Sequence, residues 1–212
     1  MAEITSASLQ KFQSAQQPLQ LILLTHATEF SKLSNTGTLV APALATEPAL
    51  VVQRLAWSRV APDAQLLQMA EAGQLMLLYP TPEAMVLNAD TETDTDPAPD
   101  NNVAVITTNS PAAGSLFSQN NNVIALQNIR GFVLLDATWQ LAHKMYRQSP
   151  YLQALPTLSL QSSQPSQYLL RRNQRQQGWC TAESVALLLA ATGYNTAAQK
   201  VSKAFFLFNQ RN

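Results

Sequence analysis

The sequence predicts an α/β protein with a mostly parallel sheet flanked by helices. Three observations lead to this class: short apolar runs without polar alternation, helix-like segments between those runs, and a composition that is 46% hydrophobic. Continuous apolar runs are typical of strands covered on both faces, and their alternation with helices favours a parallel sheet. The 212 residues are long enough for one domain, which we expect to span residues 1–212.

Six short runs rich in Leu, Val and Ile are predicted as strands. They are Leu19–Leu24, Ala49–Leu55, Leu75–Leu78, Val103–Ile106, Val123–Leu126 and Phe132–Leu135. The stretch from Asn109 to Asn122 carries Ser, Asn, Gly and Pro, which indicates a surface connection.

Five segments are predicted as helices. They are Gly37–Leu44, Asp63–Ala72, Thr138–Gln148, Thr181–Thr192 and Thr196–Phe208. In the fourth, Val185, Leu188 and Leu189 fall at i, i+3 and i+4. We predict that Thr181 is the N-cap of this helix and that Gly193 closes it.

The charge is zero overall but unevenly distributed. Residues 88–100 contain five acids and no base, and we predict a solvated insertion over about 88–102. Residues 101–212 carry nine basic and two acidic residues, with the densest cluster at Arg171, Arg172 and Arg175. This half favours an anionic partner such as nucleic acid or a phosphorylated ligand, although a solvated cationic face without a partner gives the same composition.

The single cysteine, Cys180, excludes a disulfide framework and a zinc site built on paired cysteines. We expect no metal, and neither His26 nor His143 is expected to bind one. The N-terminal stretch lacks the basic region of a signal peptide, and the apolar runs are far shorter than the ~20 residues of a membrane helix. We therefore expect a cytoplasmic protein that does not span a membrane, and no obligatory protein partner is indicated.

The segment from Gly131 to Pro156 carries the strongest sign of chemistry. Its apolar strand ends at Asp136, and Thr138 can cap the helix that follows. Ligands of open α/β sheets bind beyond the carboxyl ends of the strands, where a helix N-terminus offers unpaired N–H groups. Asp136 is therefore a candidate functional carboxylate, while simple capping of the helix remains the alternative.

Asp136-Ala137-Thr138-Trp139 resembles the D-x-T-W signature of the DTW-domain family, the tRNA-uridine aminocarboxypropyltransferases. Other segments resemble that family in order and spacing, and together they cover about residues 20 to 192. They are Ser34-Asn35-Thr36-Gly37, Trp57-Ser58-Arg59, Leu78-Tyr79-Pro80, Lys144-Met145, Ser149-Pro150, Tyr168-Leu169-Leu170-Arg171 and Cys180-Thr181-Ala182-Glu183.

The resemblance implies transfer of the 3-amino-3-carboxypropyl group from S-adenosylmethionine to N3 of a uridine in tRNA, with 5′-methylthioadenosine as the other product. It also implies a sheet similar to that of SPOUT-type methyltransferases, with a C-terminal knot.

The chain departs from the family pattern in two places. Thr38 replaces the Arg of the family's N-T-G-R-L motif, so the anion that this Arg contacts must be held otherwise, and the zinc-binding cysteines of many members are missing. The alternatives are a SPOUT-like RNA methyltransferase and an RNA-binding module without catalysis.

The resemblance also suggests roles for individual residues. Asp136 would accept the N3 proton or anchor the ammonium of the transferred group, and Thr138 would serve that carboxylate or the turn. The candidate contacts of S-adenosylmethionine are Leu78, Tyr79, Pro80, Leu135, Trp139, Thr181 and Glu183. The candidate contacts of the RNA are Ser34, Asn35, Thr36, Gly37, Lys144, Arg147, Arg171 and Arg172. Core packing for Trp139, and helix capping for Thr181, Glu183 and the Ser34–Gly37 motif, are the alternatives.

Overall fold

The computed structural model describes residues 3–4, 17–90, 116–119, 122–125, 128–168 and 178–210. The strands are β1 (Glu3–Ile4), β2 (Leu19–Thr25), β3 (Leu50–Ala56), β4 (Leu75–Leu78), β5 (Met85–Asn88), β6 (Leu116–Gln119), β7 (Asn122–Ala125), β8 (Gly131–Asp136) and β9 (Thr157–Gln161). The helices are α1 (Val40–Leu44), α2 (Ala64–Glu71), α3 (Trp139–Arg147), α4 (Pro150–Gln153), α5 (Thr181–Ala191) and α6 (Asn195–Gln210). Short 3₁₀ helices cover Ala27–Glu29 and Thr36–Leu39.

The main sheet is parallel throughout the described residues and has the strand order β1-β5-β9-β4-β8-β2-β3. Six strands form its body, and β1 adds a two-residue edge beside β5. The predicted α/β class with a parallel sheet is therefore confirmed. Strands β6 and β7 form a separate antiparallel pair.

Helices cover both faces of this sheet, which explains the continuous apolar runs. Along β2, Leu21 and Leu23 join the core under α1, α5 and α6, whereas Ile22 and Leu24 join the core under α2, α3 and α4. Successive side chains of a strand point to opposite faces, so a strand enclosed on both sides must be apolar at every position. Each helix thereby buries one apolar stripe against the sheet.

The region from residue 109 to residue 126 differs from its prediction. The predicted connection at Asn109–Asn122 contains strand β6 at Leu116–Gln119. The predicted strand Val123–Leu126 is observed as β7 at Asn122–Ala125, and it pairs with β6 instead of joining the main sheet. The pairing partner decides the conformation here, and local turn-forming residues do not reveal it. The predicted strand Val103–Ile106 lies outside the described residues.

Strands β5 and β9 and helix α4 were not predicted, because such short elements carry little local signal. Strand β9 lies inside the sheet between β5 and β4. The first residues of the predicted acidic insertion belong to the fold, since Asn88 ends β5 and Asp90 accepts hydrogen bonds from Ser162 Oγ (2.8 Å) and Ser163 N (3.0 Å). Its remaining residues, 91–102, lie outside the described part of the chain.

The helix caps agree with the sequence in one case and differ in another. Thr138 is the N-cap of α3, and its Oγ1 accepts a hydrogen bond from Leu141 N at 3.5 Å. The N-cap of α5 is Cys180, whose N–H donates to Glu183 Oε2 at 2.8 Å, so the prediction of Thr181 as N-cap is wrong by one residue. Because Glu183 serves the cap, the hydroxyl of Thr181 is available for other contacts. None of the described helices has the length and apolarity to cross a membrane.

Candidate active site

Asp136 is fully buried at the carboxyl end of β8 and accepts five hydrogen bonds. Its Oδ1 accepts from Asn35 Nδ2 at 3.0 Å and from Thr181 Oγ1 at 2.9 Å. Its Oδ2 accepts from Thr25 Oγ1 at 2.9 Å and from Nε and Nη2 of Arg54, each at 3.3 Å. A buried carboxylate is tolerated only when it is paired and hydrogen-bonded, and this one meets both conditions.

The parallel register brings these partners together. Thr25 ends β2 and is the Cα partner of Asp136 across the β2–β8 pair. Arg54 comes from β3, which pairs with the other side of β2. Asn35 precedes the 3₁₀ helix Thr36–Leu39, and Thr181 is the first residue of α5. Four separate segments therefore meet at one carboxylate, at the sheet edge where ligands of open α/β sheets bind.

Arg54 is a member of this network that the sequence analysis did not single out. Its Nη2 also donates to Asn35 Oδ1 at 3.2 Å, and its guanidinium lies 4.5 Å from the ring centroid of Phe30. The available signal was a charged residue inside a strand that otherwise reads as buried. Thr38, which stands where the family motif has Arg, donates its Oγ1 to Asn35 O at 2.7 Å.

An apolar cavity of about 110 Å³ lies beside the network, between the ends of β4, β8 and β9 and helices α3 and α5. Six of the seven residues predicted to contact S-adenosylmethionine line it together: Leu78, Tyr79, Pro80, Leu135, Trp139 and Thr181. Glu183 does not line it, because its carboxylate binds Ser166 Oγ, Gln167 N and Cys180 N. Trp139 both lines this cavity and packs against the core.

The lining of the apolar cavity suits an adenosine that carries a sulfonium. It includes the aromatic side chains of Tyr79, Trp139 and Trp179, and no described lining residue is charged. Aromatic faces stack on a base and attract an organic cation. Burial and the neighbouring Tyr146 raise the pKa of Tyr79 above that of an ordinary phenol.

A second, polar cavity of about 250 Å³ borders Asp136 itself. Its lining is Glu29, Lys32, Ser34, Asn35, Thr36, Asp136, Ala137, Thr138, Tyr168, Cys180 and Thr181. Ala137 and Thr181 line both cavities, so the two adjoin. Glu29 and Lys32 are further residues that the sequence analysis did not single out.

Ser34, Asn35 and Thr36 of the Ser34–Gly37 motif line this polar cavity, and the motif also makes contacts within the fold. Ser34 O accepts a hydrogen bond from Tyr168 Oη at 2.5 Å, and Thr36 Oγ1 accepts one from Ala182 N at 3.2 Å. The latter contact satisfies an N–H at the start of α5. Gly37 packs directly against the carboxylate of Asp136.

The remaining predicted RNA contacts lie farther out. Lys144 and Arg147 are exposed in the last turn of α3, and Arg171 and Arg172 lie outside the described residues. Of the two histidines, His143 Nδ1 lies 3.0 Å from Tyr79 Oη, and the ring of His26 stacks on Trp57. Within the described part of the chain, no three His, Cys, Asp or Glu side chains are grouped so that they could hold a metal ion.

The carboxyl edge of this parallel sheet carries a buried polar network and two adjoining cavities. This arrangement is typical of a ligand-binding α/β protein. The family model of the DTW domain matches residues 3–212, and the chain therefore belongs to the DTW domain family. This family is associated with tRNA modification, so membership indicates a tRNA-modifying enzyme. No solved structure matches the chain.

Proposed function

We propose that this protein transfers the 3-amino-3-carboxypropyl group from S-adenosylmethionine to N3 of a uridine in tRNA. The observation that supports the proposal is the pair of adjoining cavities beside the acid of the D-x-T-W segment. Among the described residues, the lining of one cavity is largely apolar and carries no charge. The lining of the other is polar and carries both acidic and basic side chains, and Ala137 and Thr181 belong to both. These two environments match a donor that has an aromatic, uncharged nucleoside at one end and a zwitterionic amino acid at the other.

The apolar cavity would hold the adenosine, with Tyr79, Trp139 and Trp179 as the aromatic contacts. When bound, the sulfonium activates three attached carbons, and the protein chooses the product by deciding which carbon faces the uridine. The shared wall at Ala137 and Thr181 would direct the aminocarboxypropyl arm into the polar cavity. Such orientation of two reactants can lower a barrier by ~7 to 11 kcal/mol.

Asp136 is proposed as a residue that positions Thr181 in the wall shared by the two cavities. The sequence left two roles open for it, proton acceptor at N3 and anchor of the ammonium. Five donors already occupy its two oxygens, and one of them is the hydroxyl of Thr181. We therefore assign Asp136 to fixing Thr181 and Asn35 at the cavity, while the N3 proton passes to water.

The RNA would dock on cationic side chains outside the cavities. Lys144 and Arg147 are exposed on α3, whose N-cap Thr138 lines the polar cavity. Arg171 and Arg172 complete the proposed phosphate contacts. These cations position the tRNA backbone, and the Ser34–Gly37 motif would meet the target nucleotide. The C-terminal knot and the cytoplasmic location belong to the same proposal.

A single incubation tests the reaction. The full-length protein is mixed with S-adenosylmethionine and unmodified tRNA, and both the nucleoside products and the modified tRNA are analysed by mass spectrometry. We expect 5′-methylthioadenosine together with an aminocarboxypropyl group on a uridine. Release of S-adenosylhomocysteine would identify a methyltransferase instead, and tight tRNA binding without any cofactor product would identify an RNA-binding module.

A further inference from the structure

Glu29 is a second buried acid at the polar cavity. It is only 5% exposed, and it ends the 3₁₀ helix Ala27–Glu29 that directly follows β2. The N–H of Glu29 donates to His26 O at 2.8 Å, which fixes this short turn to the end of the strand. Glu29 therefore lines the cavity from a turn next to the end of β2.

The carboxylate of Glu29 is less committed than that of Asp136. Among the described residues, its side-chain partner is Lys32, whose Nζ lies 2.7 Å from Glu29 Oε1. The Lys32 side chain is 42% exposed and stands on the solvent side of the pair. Because a flexible ammonium stem can move at little cost, Glu29 can accept a second cation while Lys32 turns toward an anion.

We propose that Glu29 and Lys32 bind the amino-acid end of S-adenosylmethionine, with Glu29 receiving the α-ammonium and Lys32 the α-carboxylate. This inference rests on the proposed function and identifies the residues that bind the group to be transferred. The chemistry matches charge for charge, since a zwitterion placed beside an acid–base pair makes two ion pairs without changing the net charge. Both residues line the cavity that adjoins the proposed adenosine site.

The other charged groups at this edge are less suited to the task. Arg54 makes two hydrogen bonds to Asp136 and one to Asn35, and the oxygens of Asp136 are filled by five donors. The apolar cavity has no charged side chain in its described lining. The ion pair of Glu29 and Lys32 is therefore the one that can open, so that each side chain pairs with the ammonium or the carboxylate of a molecule entering from that cavity.

The contribution of the amino-acid end to binding can be measured by comparing two nucleosides that lack the sulfonium. S-adenosylhomocysteine carries the amino-acid end and 5′-methylthioadenosine lacks it, whereas both have an uncharged thioether. Dissociation constants of both are measured by titration calorimetry with the full-length protein. We expect Glu29→Gln to weaken S-adenosylhomocysteine by about tenfold or more, because a hydrogen bond between charged groups is lost, and to leave 5′-methylthioadenosine within about twofold.

Lys32→Met is a second variant, at an exposed position. It too should weaken the binding of S-adenosylhomocysteine and leave that of 5′-methylthioadenosine nearly unchanged. Glu47→Gln is the matched control, because Glu47 pairs with a different lysine, Lys200, at 2.6 Å, and it should change neither constant. Equal weakening of both nucleosides, or no change in either, would overturn the assignment of Glu29 and Lys32. Failure of the unaltered protein to bind either nucleoside would overturn the proposed function, and this inference with it.

Discussion

A β-carbon placed on Gly37 would lie 2.5 Å from both carboxylate oxygens of Asp136. Real β-carbons do not approach other atoms so closely, so residue 37 must be glycine if the carboxylate is to keep its position. Gly37 does not have the positive φ angle seen at Gly73 and Gly193. The requirement is therefore one of space, set by the acid and not by the backbone conformation.

Gly37→Ala is expected to push Asp136 out of its network and to abolish the release of 5′-methylthioadenosine. Overpacking a filled site of this kind typically costs 1–3 kcal/mol, and we expect a loss of stability of about 2 kcal/mol in urea unfolding. Gly73→Ala is the control, because Gly73 has φ = 66° and open space around it. That variant should lose about 1 kcal/mol through backbone strain and keep its turnover. Equal turnover in both variants would contradict the proposed role of Gly37.

Arg54→Met should destabilise the protein, because it leaves the carboxylate of Asp136 buried without its cation. Breaking a fully enclosed pair costs about 3–5 kcal/mol, and we expect roughly 2 to 3 kcal/mol here because the Arg54 side chain is 20% exposed. Adding Asp136→Asn should recover part of the loss, with a coupling energy of about 1 kcal/mol or more in a double-mutant cycle. Arg59→Met, at an exposed position beyond β3, should stay within about 0.5 kcal/mol of the unaltered protein. Additive losses would argue against the ion pair.

Asp136→Asn alone is expected to remove turnover while tRNA affinity stays within a few-fold. The amide would present an N–H to one of the donors that now surround the carboxylate, so Thr181 or Arg54 would lose its partner. The phosphate contacts proposed on α3 lie outside this network. Turnover and filter binding of tRNA measure the two effects separately, and a parallel loss of both would argue against a positioning role.

Replacing Lys144 and Arg147 together by Ala should weaken tRNA binding and flatten its salt dependence. Each neutralised phosphate contributes about 0.7 to 0.9 to the slope of log K against log salt, so losing both contacts should reduce the slope by roughly 1.5. Lys203→Ala is the control, since Lys203 is exposed on α6, which packs on the opposite face of the sheet from α3. The affinity is measured at four salt concentrations. An unchanged slope would remove α3 from the proposed RNA interface.

Stability is expected to fall above pH 9 because of Cys180. Burial, together with the nearby Glu183, raises the pKa of this thiol to about 12. A raised pKa means that the folded protein holds the proton more tightly, so the stabilisation is complete below the ordinary thiol pKa and is lost as the pH rises toward 12. The slope reaches about 1.4 kcal/mol per pH unit for one proton. Urea unfolding at pH 8, 9 and 10 should show this fall in the unaltered protein and a much smaller one in Cys180→Ala. Equal slopes would contradict the assignment to the thiol.

Sequence patterns predicted the elements with strong local signals. The apolar runs of β2, β4 and β8, the cap at Thr138 and the end of α5 at Gly193 were all read from neighbouring residues, and they carry Asp136 to the correct edge of the sheet. Strand β9 was missed, because its place in the sheet depends on β4 and β5 and not on its own five residues.

Only part of the candidate site could be predicted from the sequence, because the other residues come together through contacts between distant segments. Residues in the D-x-T-W segment and beside it could be predicted, because a strand-end acid and a cap are local features. Arg54 and Glu29 could not be placed, since their importance comes from the distance to residues 82 positions away or from the cavity that they border. No pattern along the chain predicts which buried carboxylate will meet which cation.

The five members of the Asp136 network fall into two groups along the chain. Thr25, Asn35 and Arg54 precede the acidic stretch at residues 91–100, and Asp136 and Thr181 follow it. Neither group contains both the carboxylate and its full set of donors. The hydrogen bonds of Asp136 are therefore complete only when the segments on either side of that stretch have packed against each other.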